Sequence, residues 1–152
     1  MRILVDADSC PKPVRDLVIR RGGRTNTPII FAANRPIPGI SGPLLIMELC
    51  PPGEGAADNR IVELARPGDL VITRDIPLAN RLVEASVMVM DDRGRVYTTE
   101  NIRERLSLRD FMVGLADTGM EIVRTPSYGK GELKKFADSF DRTLARLLKA
   151  QT

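Results

Sequence analysis

Short apolar runs alternate with longer amphipathic segments along this chain, and that rhythm predicts its elements. Ile3 to Val5 reads as a first strand. Pro11 and Pro13 stand at the entry to a helix whose apolar face is Val14, Leu17 and Val18, with Gly22-Gly23 as its stop signal. Ile29 to Phe31 is a second strand, running out at Asn34 into a loop punctuated by Pro36, Pro38 and Gly39, and Leu44 to Leu49 is a third. After the loop Pro51-Pro52-Gly53-Glu54-Gly55, Asp58 opens a helix lined by Ile61, Val62, Leu64 and Ala65. Leu70 to Ile72 is a buried-type strand stopping at Thr73-Arg74-Asp75, and a short helix follows over Pro77 to Ala85. Val87 to Met90 is a further strand, with Arg93-Gly94 turning the chain into Val96-Tyr97. A long helix from Asn101 carries Ile102, Leu106, Phe111, Met112 and Leu115 at helical spacing. The last helix, about 132–149, carries Leu133, Phe136, Phe140, Leu144 and Leu147.

Continuous apolar strands alternating with helices predict βαβ units and a mostly parallel sheet covered on both faces. With 152 residues and no internal repeat, the expectation is one α/β domain over 1–152, the segment Thr125 to Gly131 tethering the last helix. No apolar stretch approaches the ~20 residues of a membrane span. Asp6 and Asp8 interrupt the first apolar run, so a signal peptide is hard to place and a cytoplasmic location is expected. Two cysteines, Cys10 and Cys50, suit a reducing compartment and are too few for a disulfide scaffold. Whether the chain is a monomer or a homodimer is left open.

Charge and residue types narrow the chemistry. The net charge is +3, and only five of the 23 basic residues are lysines. Arginine forks suit phosphate oxygens, which points to a polyanionic partner, although an Arg-rich surface also follows from codon usage alone. The absence of histidine excludes Ser-His-Asp and Cys-His mechanisms and imidazole-ligated zinc.

In a doubly wound sheet, ligands bind beyond the carboxyl ends of the strands. Asp6 and Asp8 end the first strand, Asn34 the second, Asp75 the Leu70 strand and Asp91-Asp92 the next; Asp58 comes from a helix start on the same edge. Clustered carboxylates repel one another, and a hard divalent cation such as Mg²⁺ or Mn²⁺ removes that cost. Two such ions can orient a water and stabilise both oxygens of a phosphodiester displacement, a route that needs no histidine. Each acid also has a structural reading. Asp58 can be a helix cap, Asp91 and Asp92 turn formers, and Asp69 a turn residue on the opposite edge. Ser9, Asn34, Asn59 and Thr73 are credible hydrogen-bonding neighbours of the acids, and Arg74 can meet a phosphate oxygen or simply be surface charge. Cys10 sits near a helix N-terminus that would lower its thiol pKa, or is a small buried residue.

The segments Val5-Asp6-Ala7-Asp8-Ser9-Cys10-Pro11, Phe31-Ala32-Ala33-Asn34, Gly55-Ala56-Ala57-Asp58 and Val71-Ile72-Thr73-Arg74-Asp75-Ile76-Pro77-Leu78-Ala79 come in an order that resembles the YaiI/YqxD family of bacterial proteins, classed with PIN-like domains. The resemblance runs nearly end to end, through Tyr97-Thr98-Thr99-Glu100-Asn101-Ile102 and the region of Arg109. It implies a three-layer α/β/α sandwich and an Mg²⁺- or Mn²⁺-dependent ribonuclease centre. On that pattern Asp6, Asp8, Asp58 and Asp75 carry the metal, and RNA is the favoured partner. One departure is Arg124-Thr125-Pro126-Ser127, where a Thr-Gly-Gly-Pro-like stretch is common.

Three rivals remain. The opening Val5-Asp6-Ala7-Asp8 and the later Asp91-Asp92 imitate a haloacid-dehalogenase-type phosphatase, but none of the five lysines falls between the two motifs to balance a phosphoaspartate. A response-regulator receiver fails similarly, for want of a lysine after the Asp91 strand. A non-catalytic RNA- or partner-binding module on the same scaffold would have a decayed centre, whereas all four acids are present here.

Overall fold

The computed structural model describes residues 1–119 and 127–151. Six strands, β1 (Ile3–Asp6), β2 (Ile29–Ala33), β3 (Leu45–Leu49), β4 (Leu70–Ile72), β5 (Met88–Met90) and β6 (Val96–Tyr97), form one sheet in the order β3-β2-β1-β4-β5-β6. All neighbours are parallel except β5 and β6, which pair antiparallel. Five helices accompany them: α1 (Lys12–Thr25), α2 (Ala56–Leu64), α3 (Ile76–Glu84), α4 (Thr99–Asp117) and α5 (Lys130–Lys149).

Side chains alternate across the sheet, so β1 feeds two cores. Ile3 and Val5 join Val14, Leu17 and Val18 of α1 and Phe136, Phe140 and Leu144 of α5 on one face. Leu4 joins Ile61 of α2, Leu78 and Leu82 of α3 and Ile102 of α4 on the other. The result is the expected three-layer α/β/α sandwich. Phe136 and Phe140 stack with ring centroids 5.3 Å apart, anchoring α5 over the sheet. No helix among the described residues is long and apolar enough to cross a membrane.

The chain runs outward from β1 to β3, then crosses back to β4 on the other side of β1. The switch point of the sheet therefore lies between β1 and β4, where the connections diverge and leave a crevice at the carboxyl edge.

Three expectations from the sequence need correction. Gly22-Gly23 does not stop α1, which continues to Thr25 and ends at Asn26 in the left-handed conformation, φ 55°. Gly22 is instead a packing position, where a Cβ would meet Ile29 Cδ1 at 2.6 Å. Asp58 does not cap α2. Gly55, with φ 78°, holds that position and Asp58 falls in the first turn, where a carboxylate favours the helix dipole. The long helix begins earlier, at Thr99, where Thr98 and Asn101 exchange hydrogen bonds across its first turn. Its apolar residues are also not a core face, since Ile102 alone is buried and Phe111 is 63% exposed. The stretch Arg124 to Pro126, with the first two residues of the tether, lies outside the described residues.

Candidate functional site

The strand register continues past the last ladder bonds and sets the residues of the carboxyl edge against one another. Val5 pairs with Ile72, so the next step brings Asp6 to Thr73. The Thr73 hydroxyl donates to Asp6 Oδ2 at 2.8 Å, and both residues are buried. Asp6 pairs with Ala32, so two residues on Asp8 meets Asn34, whose backbone N–H donates to Asp8 Oδ2 at 3.0 Å. Ile72 pairs with Met90, which carries Arg74 to Asp92, and there the guanidinium grips the buried Asp92 carboxylate through Nε and Nη2.

Thr73 does double duty. Its oxygen accepts the backbone N–H of Asp75 at 3.0 Å, and Asp75 Oδ1 in turn accepts the N–H of Leu78 at 3.0 Å as the cap of α3. Ser9 Oγ adds a second donor to Asp6 Oδ2, at 3.2 Å. Burial still pushes the Asp6 carboxyl up, opposed by the Thr73 and Ser9 hydrogen bonds and reinforced by the charges of Asp75 and Asp8.

These residues open onto one cavity of about 500 Å³. Asp6, Asp8, Asp58 and Asp75 all line it, with Ser9 and Asn34 beside them and Arg74 and Arg109 contributing cationic wall. The Asp58 carboxyl lies within hydrogen-bonding reach of Asp75 and is pushed up to about 6, chiefly by desolvation and then by the charges of Asp75 and Asp6, with Arg81 opposing.

Not every candidate arrives. The Asn59 side chain accepts from Arg81 at 2.9 Å and lines a separate cavity with Glu48 and Arg60. Cys10 sits behind Asp6 in a small void, and desolvation pushes its thiol up to about 12, so burial overrides the helix-terminus effect expected from the sequence. Arg74 is tied to Asp92 yet remains 48% exposed along the cavity.

The demoted acids have structural duties. Asp91 Oδ1 accepts the N–H groups of Arg93 and Arg95 in the turn. Asp69, at the amino edge, accepts the N–H groups of Arg2 and Arg66. Arg109, which the sequence offered only within the resemblance and not as a site residue, also lines the cavity. It lies seven residues after Ile102, hence on the same face of α4, which is the signal that would have found it.

Among the described residues, no group of three or more His, Cys, Asp or Glu side chains is gathered as a ready-made metal cage. The donors nevertheless suit a hard cation by type, being carboxylate oxygens alone, with Asp75 near enough for its charge to push the Asp58 carboxyl up. Mg²⁺ commonly uses one or two carboxylates and keeps several waters, so a closed protein cage is not required.

Fold and site together define an α/β protein whose acid-lined crevice opens at the switch point of a mostly parallel sheet. The chain belongs to the YaiI/YqxD family: the family model described as "Uncharacterized BCR, YaiI/YqxD family" matches residues 4–146. It is 50% identical over 149 residues to a "UPF0178 protein" of Treponema pallidum (strain Nichols), covering 98% of this chain and 84% of that relative. It is 43% identical over 154 residues to a "UPF0178 protein" of Myxococcus xanthus (strain DK1622), covering 99% of both. No solved structure matches the chain significantly.

Proposed function

We propose that the chain hydrolyses phosphodiester bonds of nucleic acid, RNA in preference, with the aid of Mg²⁺ or Mn²⁺. The observation that carries this reading is the convergence of Asp6, Asp8, Asp58 and Asp75 on one cavity with Arg74 and Arg109 in its wall. An acid-lined pocket repels a phosphodiester unless a cation intervenes, and its two arginines suit the non-bridging oxygens of such a substrate.

Asp58 and Asp75 are the residues that would hold the cation, with Asp6 and Asp8 adding negative charge around it. A bound divalent ion there supplies Lewis acidity and neutralises charge developing on the phosphoryl group. A cation there would compete with the proton that Asp58 holds more tightly than an ordinary carboxyl does. Asp6 is oriented by Thr73 and Ser9, and Asp8 by the Asn34 N–H, so neither carboxylate needs to reorganise on binding substrate. Arg109 and the exposed side of Arg74 orient the phosphate against the acids.

Purified protein incubated with labelled RNA and DNA oligonucleotides in Mn²⁺, beside Asp58→Asn and Asp75→Asn, tests the reading. Cleavage by the wild type, RNA faster than DNA, and a loss of about 100-fold or more in either variant is expected, the scale seen when an electrostatic group at a reacting centre is removed. Equal cleavage by wild type and variants overturns the site. That no three carboxylates are gathered among the described residues favours a second reading, a nucleic-acid-binding module, and binding without any cleavage would establish it.

A further inference from the structure

Beyond the acid-lined cavity, on the side of β5 and β6, lies a second one of about 610 Å³. The two share Arg74 and Ile76 as a common wall, so they are successive stations along one edge of the sheet. We infer that this second cavity seats the single strand of nucleic acid leading away from the phosphodiester held at the acids, so that the protein takes a polynucleotide and not a mononucleotide. The inference rests on the phosphodiesterase reading for the first cavity and adds the extent and direction of the bound strand.

Three guanidiniums, of Arg74, Arg93 and Arg95, line the second cavity with the rings of Tyr97 and Tyr128. Asp91 and Asp92 also reach it, but their oxygens are engaged. Asp91 Oδ1 takes two turn N–H groups and Asp92 Oδ2 takes Arg74, while Arg93 Nη1 stands 3.6 Å from Asp92 Oδ1 and Arg95 Nη1 3.7 Å from Asp91 Oδ2. The two carboxylates therefore orient three cations, and the wall keeps a net positive charge. Arg74 and Arg95 remain 48% and 45% exposed, open to a phosphate.

The aromatic part is also built in advance. The Tyr128 hydroxyl donates to the Asp92 carbonyl at 2.6 Å, which fixes the ring, and the Arg93 guanidinium lies 5.7 Å from its centroid. A guanidinium and an aromatic ring held together offer a base a stacking surface, and neighbouring arginines offer its phosphate a bidentate fork. Phosphate-binding arginines beside a stacking ring, next to a carboxylate site, match a strand one or more nucleotides longer than the unit at the acids.

Fluorescence anisotropy with labelled single-stranded RNA octanucleotides in EDTA, where cleavage is silent, reads this seat alone. Arg95→Ala should lower the slope of log affinity against log salt by about one, the mark of one lost phosphate contact. Tyr128→Leu should weaken binding at least about fivefold, as loss of one stacking partner does. Arg142→Ala, an exposed arginine of α5 that lines neither cavity, should change neither quantity. An octanucleotide should bind more tightly than a labelled mononucleotide, and that preference should shrink in Arg95→Ala, which serves even if Tyr128→Leu fails to fold. Unchanged affinity and slope in Arg95→Ala, or no binding by the wild type at low salt, overturns the strand seat. Binding that depends on Arg95 without cleavage in Mn²⁺ overturns the hydrolytic reading instead, and cleavage indifferent to Arg95 overturns the seat alone.

Discussion

The Thr73 hydroxyl donates to Asp6 Oδ2 at 2.8 Å while its oxygen accepts the Asp75 N–H at 3.0 Å, so a single buried side chain ties the acid ending β1 to the acid capping α3. Thr73→Val keeps the shape and removes the hydroxyl. It should destabilise the fold by about 1–3 kcal/mol, because a buried carboxylate loses a donor and a half-buried N–H an acceptor. It should also raise the Asp6 carboxyl further, since the Thr73 bond is the largest influence lowering it. Urea unfolding measures the first effect, and Thr73→Ser, which restores the hydroxyl, should recover most of it.

Arg74 and Asp92 form the next such relationship along the edge. Arg74→Ala should cost about 1–2 kcal/mol, less than the ~3–5 kcal/mol of breaking a fully buried pair, because Arg74 is half-exposed and Arg93 stays beside Asp92. A double-mutant cycle with Asp92→Ala by chemical unfolding should return a favourable coupling energy. Additive losses would mean that the ion pair contributes nothing to stability.

Gly94 tests how the last helix is held. Its φ is +83°, and a Cβ there would stand 2.6 Å from the Lys135 carbonyl oxygen, while Ser139 Oγ donates to the Gly94 carbonyl at 2.6 Å. Backbone on α5 cannot yield as a flexible side chain can. Gly94→Ala should therefore destabilise by about 2–3 kcal/mol and lower the melting temperature by roughly 5–10 °C. A calorimetric scan matching the wild type would show that α5 can shift away from the turn.

The sequence made the strands and the acid-bearing edge legible, because buried parallel strands announce themselves as apolar runs and polar residues follow each of them. It could not tell which edge residues touch. That depends on register: Asp6 meets Thr73, Asp8 meets Asn34 and Arg74 meets Asp92 only because β1, β2, β4 and β5 pair as they do. Of the two readings open for Cys10 the buried one holds, since a helix terminus is visible in sequence and the desolvation that outweighs it is not. Arg109 entered only through the resemblance and with no role, because the apolar spacing of α4 predicts a core face, whereas those residues are mostly exposed and the face toward the cavity is the one marked by Ile102.

Asp58 offers the sharpest test of the site, because pH and metal act on it in opposite directions. In the folded chain its carboxyl titrates near 6, against an ordinary value of 3.8. A raised pKa means that the folded state holds the proton more tightly, so the associated stability is complete below about 3.8 and lost as pH rises through about 6. Without metal, the melting temperature of the wild type should therefore fall between about pH 5 and about pH 7 relative to Asp58→Asn, in which Asp75 and Asp6 no longer face a titrating neighbour. A cation must displace that proton, so the rise in melting temperature given by a fixed concentration of Mn²⁺ should be larger at pH 7 than at pH 5. Asp58→Asn should shrink the Mn²⁺ effect at both. An equal Mn²⁺ shift at the two pH values, or one that persists in the variant, would place the cation somewhere other than the Asp58–Asp75 pair.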